Sequence, residues 1–142
     1  MKIRRIIEGD LENGFLETLN QLSPIGDLSL AQWKIIFYEI MQNPLYNIFV
    51  VEEEGKIIGT ATLLLERKFI HKGGFVGHIE DVVINKKYQG KGLGLKLISH
   101  IISVAKTSNC YKVILNCSEG NISFYEKLGF IKNEICMRLD SL

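Results

Sequence analysis

Cysteine is scarce in this chain, and Cys110, Cys117 and Cys136 are odd in number and irregular in spacing. They offer no disulfide framework and are read as buried thiols. His71, His78 and His100 share no ligand spacing with them or with one another, so no metal site is expected. Two prolines, no Pro/Gly/Ser-rich linker and no repeat argue for one domain spanning residues 1–142. No apolar run reaches the roughly 18 residues of a membrane span, and no secretory leader is recognisable, so a cytoplasmic location is expected. Neither sign of charge dominates, since 17 Lys and Arg against 16 Asp and Glu leave +1. With no block of like charge, nucleic acid is excluded as a general partner.

What is abundant is apolar residues, 46% of the chain, enough to bury one sizeable core. Residues 2–7 read as a strand, and Asp10 caps a helix running to Leu22, with Leu11, Phe15, Leu19 and Leu22 on one stripe. Ser29 and Gln32 form a capping box for a second helix that carries Leu30, Trp33, Phe37, Ile40 and Met41 inward, or towards a second subunit. Residues 48–52 and 57–66 are strands joined by a hairpin through Gly55. The basic segment 67–74 reads as a connector. Residues 111–117 alternate as a strand, Asn121 caps a short helix to Leu128, Gly129 ends it, and residues 130–139 form a last strand. The order β α α β β β α β α β predicts a mixed α/β sheet flanked by helices, not a Rossmann fold.

The chain is organised around residues 78–98. An apolar strand, Ile79 to Ile84, carries adjacent carboxylates at Glu80 and Asp81. It passes into Gln89-Gly90-Lys91-Gly92-Leu93-Gly94, and then into a helix with Leu97, Ile98, Ile101, Ile102 and Ala105 on one face. Glycines before a helix N-terminus bring bare backbone and unpaired N–H groups towards an anion such as a diphosphate. A tight strand-to-helix turn accounts for the spacing equally well. Neither GxxxxGK[ST] nor GxGxxG is present, because Leu95 and Leu97 stand where the latter needs glycine.

The pattern Gln89-Gly90-x-Gly92-x-Gly94 after an apolar strand resembles the coenzyme A pyrophosphate loop of the GNAT acyltransferase superfamily. GHIEDVVI, KYQGKGLG, CYKVILNC and NISFYEKLGF, in that order, resemble its glucosamine-6-phosphate N-acetyltransferase branch over residues 59–137. The resemblance implies a GNAT fold, acetyl-CoA as cosubstrate, no metal, glucosamine 6-phosphate as acceptor and a homodimer with a shared site. It also implies that the backbone of Val82, Val83 and Ile84, the loop from Gln89 through Gly90, Lys91, Gly92 and Leu93 to Gly94, and Asn116, Asn121 and Tyr125 hold the coenzyme. Glu80, Asn116 and Tyr125 are the implied catalytic set. Ser23, Lys68, His71, Glu80, Asp81, Tyr111, Lys112 and Arg138 are the implied sugar-phosphate contacts. Ser23 stands where close relatives carry threonine, Asn116 where the family often has Asp, and Arg138 competes with Asp140 for the C-terminal basic position.

Acyl transfer from a thioester needs a neutral amine, a polarised carbonyl and a stabilised thiolate. The resemblance implies Glu80 as the base for the first and Tyr125 as the donor for the last. As neighbours on a strand, Glu80 and Asp81 are expected to point to opposite faces, with either able to serve the cleft. A GNAT that acetylates a protein amine or polyamine is the alternative enzyme, and a non-catalytic acetyl-CoA-binding module is the alternative from another class.

Overall fold

In the computed structural model, which describes residues 1–140, five strands form one sheet in the order β1-β2-β3-β4-β5. They are β1 (Lys2–Arg5), β2 (Tyr46–Glu53), β3 (Lys56–Arg67), β4 (Phe75–Ile84) and β5 (Cys110–Ile114). The first four pair antiparallel and β5 runs parallel to β4, which requires a crossover. The crossover is α4 (Leu93–Thr107), preceded by α1 (Leu16–Leu19), α2 (Leu30–Met41) and the single turn α3 (Ile70–Gly73), and followed by α5 (Ile122–Glu126).

Strand alternation divides the core. Phe49, Val51, Ala61, Leu63 and Ile79 meet Leu97, Ile98, Ile101 and Ala105 on the α4 face. On the other face Ile6, Leu11, Phe15, Val50 and Ile57 pack with Trp33 and Phe37 of α2. The capping box is as the sequence predicts, with Gln32 N donating to Ser29 Oγ at 3.3 Å and Ser29 N to Gln32 Oε1 at 2.8 Å. Yet α2 buries no residue completely, so its aromatic stripe rests only partly on the sheet.

The helix expected from Asp10 to Leu22 is broken. Asn13 and Gly14 leave helical geometry, with Gly14 at φ 101°, and only Leu16–Leu19 is α-helical. Asp10 is diverted from capping a long helix. Its buried carboxylate accepts from Arg4 at 2.7 and 2.8 Å and from Ile7 N at 2.8 Å. The break lets the chain lie against the β2–β3 hairpin, where a Cβ on Gly14 would stand 2.5 Å from the Ile57 carbonyl oxygen. Gly14→Ala is therefore expected to cost at least about 2 kcal/mol in urea unfolding. Gly9→Ala, with nothing within 4 Å of the added carbon, should stay within about 0.5 kcal/mol of the parent.

Two expectations are corrected at the C-terminal end. Residues 130–139 form no strand, and Ile131, Ile135, Met137 and Leu139 stand 75–88% exposed. An extended segment without a ladder partner leaves its backbone to water and gains no burial, so alternation alone does not make it a strand. The thiols are not all buried either: Cys110 is half-buried, whereas Cys117 and Cys136 are exposed because β5 stops at Ile114 and the tail is uncovered. Among the described residues no helix is long and apolar enough to cross a membrane.

Candidate active site

Strand β4 changes partners halfway along its length. Phe75 to His78 pair with β5, the last pair being His78 with Ile114, and beyond it β4 and β5 part. From Ile79 to Ile84 the β5-side backbone therefore faces a cleft with no ladder partner. Such groups favour an amide-bearing ligand that completes the sheet. On its other side β4 pairs Thr62 with Glu80 and Thr60 with Val83, so Asp81 and Val82 together oppose Ala61. This is a β-bulge, and Asp81 adopts φ 52° to make it. Simple alternation fails here as a result. Glu80 and Asp81, expected on opposite faces, are both exposed and line the same cavity.

The glycine loop separates into two roles. Gly90 and Gly92 have φ 79° and 73°, and a Cβ at either would meet nothing within 4 Å. They are needed for the backbone turn, and they face open space at the start of α4. No side chain caps that helix at Gly92, so its first N–H groups are left for an acceptor from outside. Gly94 instead permits packing, since a Cβ there would lie 3.1 Å from Phe124 Cζ of α5. Gln89 turns its amide inward to donate to the Ile84 carbonyl at 2.9 Å, tying the loop to the end of β4. Leu93 is buried, leaving only its backbone for a ligand, and Lys91 Nζ sits 5.1 Å from the Tyr88 ring centroid.

Tyr125 on α5 is 8% exposed, its ring edge-on to Phe124 and Phe130 at 4.9 and 5.8 Å. Among the described residues its hydroxyl has no hydrogen-bond partner, and no fully buried side-chain polar atom is unsatisfied, so the hydroxyl reaches the surface. Burial, and then the nearby Cys117, push its pKa above the ordinary tyrosine value. Cys117 and Asn116 belong to the exposed stretch after β5, near enough to Tyr125 for Cys117 to act on it electrostatically; Asn121, at the N-cap of α5, is exposed as well.

The candidate phosphate ligands gather only in part. His71 stacks on Tyr111 at 4.0 Å, on the turn where His71 and Lys72 both take positive φ. Lys68 N donates to the Gly74 carbonyl at 3.0 Å, and Lys112 lies opposite Val76 in the ladder. The backbones of all four therefore lie near the start of β4, where among the described residues His71 and Tyr111 are the pair in side-chain contact. Ser23 lies elsewhere: its neighbour Gln21 accepts from Lys86 N at 2.8 Å, beyond the far end of β4. Arg138 is exposed and paired with Asp140 at 2.6 Å, so both competitors for the C-terminal position bind each other.

Sequence reasoning overlooked Glu66 and His78. Glu66 pairs with Lys68 and holds His78 Nε2 at 2.8 Å. Lys68 and then His78 keep its carboxyl below the usual carboxylate range. The period of two along β3 and β4 was the available signal, because Leu64 faces His78 and Thr62 faces Glu80. A polar row thus runs along one face from Lys68 through Glu66 and His78 to Glu80. Among the described residues no group of three or more His, Cys, Asp or Glu is placed to hold a metal ion.

The acetyltransferase (GNAT) family profile matches residues 13–130. A glucosamine 6-phosphate N-acetyltransferase of Arabidopsis thaliana is 40% identical over 139 residues, covering 96% of this chain and 93% of that protein. One from Trypanosoma brucei brucei is 39% identical over 143 residues, covering 99% and 95%. The crystal structure of glucosamine-6-phosphate N-acetyltransferase from Arabidopsis thaliana superposes with a TM-score of 0.94 at 39% identity, covering 99% of this chain and 97% of that one.

Proposed function

The chain belongs to the acetyltransferase (GNAT) family, and from that premise we propose that it transfers the acetyl group of acetyl-CoA to the amine of glucosamine 6-phosphate. The products are N-acetylglucosamine 6-phosphate and CoA, on the route to UDP-N-acetylglucosamine. The names of the relatives support this reading. The observation that carries it is the β4 bulge, which turns two carboxylates into one cavity on the stretch of strand that β5 leaves unpaired.

The residues fit acetyl-CoA: the uncapped α4 N-terminus with Gly90 and Gly92 suits its diphosphate, and the β5-side edge of Val82, Val83 and Ile84, where Gln89 already holds the Ile84 carbonyl, suits its pantetheine amides. Bound there, acetyl-CoA supplies an activated acetyl thioester. A backbone N–H of the splayed segment polarises the carbonyl, and Glu80 accepts the amine proton directly or through a water. Asp81 holds the sugar beside it. Asn116 carries no charge, so it orients the amine through a neutral carbonyl, that of its backbone or of its side-chain amide. Tyr125 donates to the departing sulfur. Transfer is direct: Cys110 is held as a thiol by burial, and neither Cys117, which lies near Tyr125, nor Cys136 is paired with a base among the described residues.

Lys68, His71, Tyr111 and Lys112 take the phosphate. We further propose a homodimer that completes this site. The apolar alternation of Ile135, Met137 and Leu139 is left uncovered by the described residues, among which Ser23 and Arg138 do not join the cluster. A cytoplasmic location suits the three free thiols. Light scattering over a range of concentrations should return twice the chain mass; a monomer throughout would remove the shared site.

The donor half is tested at the loop. Gly92→Val should weaken CoA binding by roughly tenfold or more in calorimetry, through lost backbone contacts to the diphosphate. Gly26→Val is the control, since Gly26 also has positive φ and open space around it but lies in the α1–α2 connection. Equal affinities in the two folded variants would take the loop out of the site. The acceptor half is tested by incubation with acetyl-CoA and glucosamine 6-phosphate, with mass and NMR analysis of the product. An acetamide on the amino carbon is expected; unmodified sugar would refute the reading.

A further inference from the structure

Behind Glu80 and Asp81 lies a cavity of about 350 Å³ between the sheet, α1 and α2. Phe15, Leu19, Trp33, Ile36, Phe37 and Ile48 are among its walls. Among the described residues its only charged lining groups are Glu80 and Asp81, which are also its only exposed ones and so mark its mouth. Thr60 and Thr62 stand beside the mouth, and the Thr60 hydroxyl is already spent on the Phe49 carbonyl at 2.9 Å. A sugar phosphate inside would bury hydroxyls and charge with almost nothing to pair them. An apolar cavity of about 150 Å³ is enough for a benzene ring, so the methyl of an acetyl group would leave this one nearly empty.

We propose that this cavity is an acyl-chain site, and that the protein accepts linear acyl-CoA thioesters of about four to eight carbons as donors alongside acetyl-CoA. The inference rests on the reading of acetyl-CoA as donor. It adds that the carbon chain of a longer thioester passes the bulge at Asp81 and lies against Trp33 and Ile48. The chemistry is unchanged: the amine nitrogen bonds to the thioester carbonyl carbon, the C–S bond breaks, one amine proton is lost, and the coenzyme leaves as its thiol. The product is an N-acyl amino sugar of correspondingly longer chain. Each buried methylene should tighten binding by about fourfold. The partial packing of α2 over the sheet, with no residue fully buried, is the seam through which the chain displaces water.

The single tryptophan of the chain, Trp33, lies in the cavity wall and reports its occupancy directly. Titration with hexanoyl-CoA should shift Trp33 emission to shorter wavelength and give a dissociation constant at least about tenfold below that of acetyl-CoA, which should leave the emission unchanged. Mass spectrometry should find the N-hexanoyl sugar phosphate. Ile48→Phe, and independently Ile36→Phe on the opposite wall, should fill the space, abolish the hexanoyl advantage and leave acetyl transfer standing. Equal affinities with silent tryptophan emission, in an enzyme that still transfers acetyl, would overturn the acyl site and leave the acetyltransferase reading intact. Tight hexanoyl binding that leaves Trp33 silent would overturn it as well, by putting the chain elsewhere. Failure to bind or use acetyl-CoA at all would defeat both readings together.

Discussion

Replacing glucosamine 6-phosphate by glucosamine should lower kcat/KM by on the order of 10² to 10⁴. The expectation follows from the start of β4, where His71 stacks on Tyr111 and the backbones of Lys68 and Lys112 flank the same end of the strand. If two of these cations bond the phosphate, each charge-assisted hydrogen bond is worth roughly 1.5 to 3 kcal/mol. At about 1.4 kcal/mol per tenfold, their sum spans that range. Lys68 falls towards the lower end, because it already pairs with Glu66 and must share itself between a carboxylate and the phosphate. Lys112, exposed and without such a pair among the described residues, should carry more. The penalty for losing the phosphate should therefore shrink in Lys68→Ala and shrink further in Lys112→Ala. Equal efficiency on both sugars would show that the cluster serves some other purpose.

Tyr125→Phe should lower kcat by about 10- to 100-fold while leaving both Michaelis constants within a few-fold. A phenol whose pKa is pushed above its ordinary value of about 10 holds its proton more tightly than a free tyrosine and is by that much a poorer proton source for the departing thiolate. The burial that raises it thus assigns Tyr125 to hydrogen-bond donation rather than full proton transfer. A bond to a developing charge is worth roughly 1.5 to 3 kcal/mol and is felt only as the C–S bond breaks. The sign of the pH dependence follows. A raised folded-state pKa means the protonated hydroxyl persists below pH 10, and its contribution is lost as pH rises through that raised value. Any alkaline limb due to Tyr125 must therefore lie above pH 10 and vanish in Tyr125→Phe. Wild-type turnover in the variant would return the ring to the core.

The elements that sequence reading located well are those whose cause is local. Ser29 and Gln32 close their capping box by themselves, and Glu54 and Gly55 both take positive φ in the hairpin turn. Gly90 and Gly92 are needed for backbone geometry visible in their spacing. What was misread depends on partners distant in the chain. Gly14 breaks a helix because Ile57 comes within reach 43 residues on. Glu80 and Asp81 share a cavity because of a bulge, and a bulge is a property of a strand pair rather than of a strand. Glu66 and His78 went unnoticed because two isolated residues twelve apart acquire meaning only when β3 and β4 are in register. Residues 130–139 read as a strand, but the apolar alternation of Ile135, Met137 and Leu139 specifies a face to be covered without naming what covers it.

The most direct test of the account is thiol release from acetyl-CoA with four amines offered separately at equal concentration: glucosamine 6-phosphate, glucosamine, a lysine-rich peptide and spermine. The account predicts rapid release with glucosamine 6-phosphate, release lower by 10² or more with glucosamine, and little above background with the other two. Spermine or the peptide outpacing the sugar phosphate would contradict it, leaving a GNAT acetyltransferase whose cationic cluster at the start of β4 binds something else.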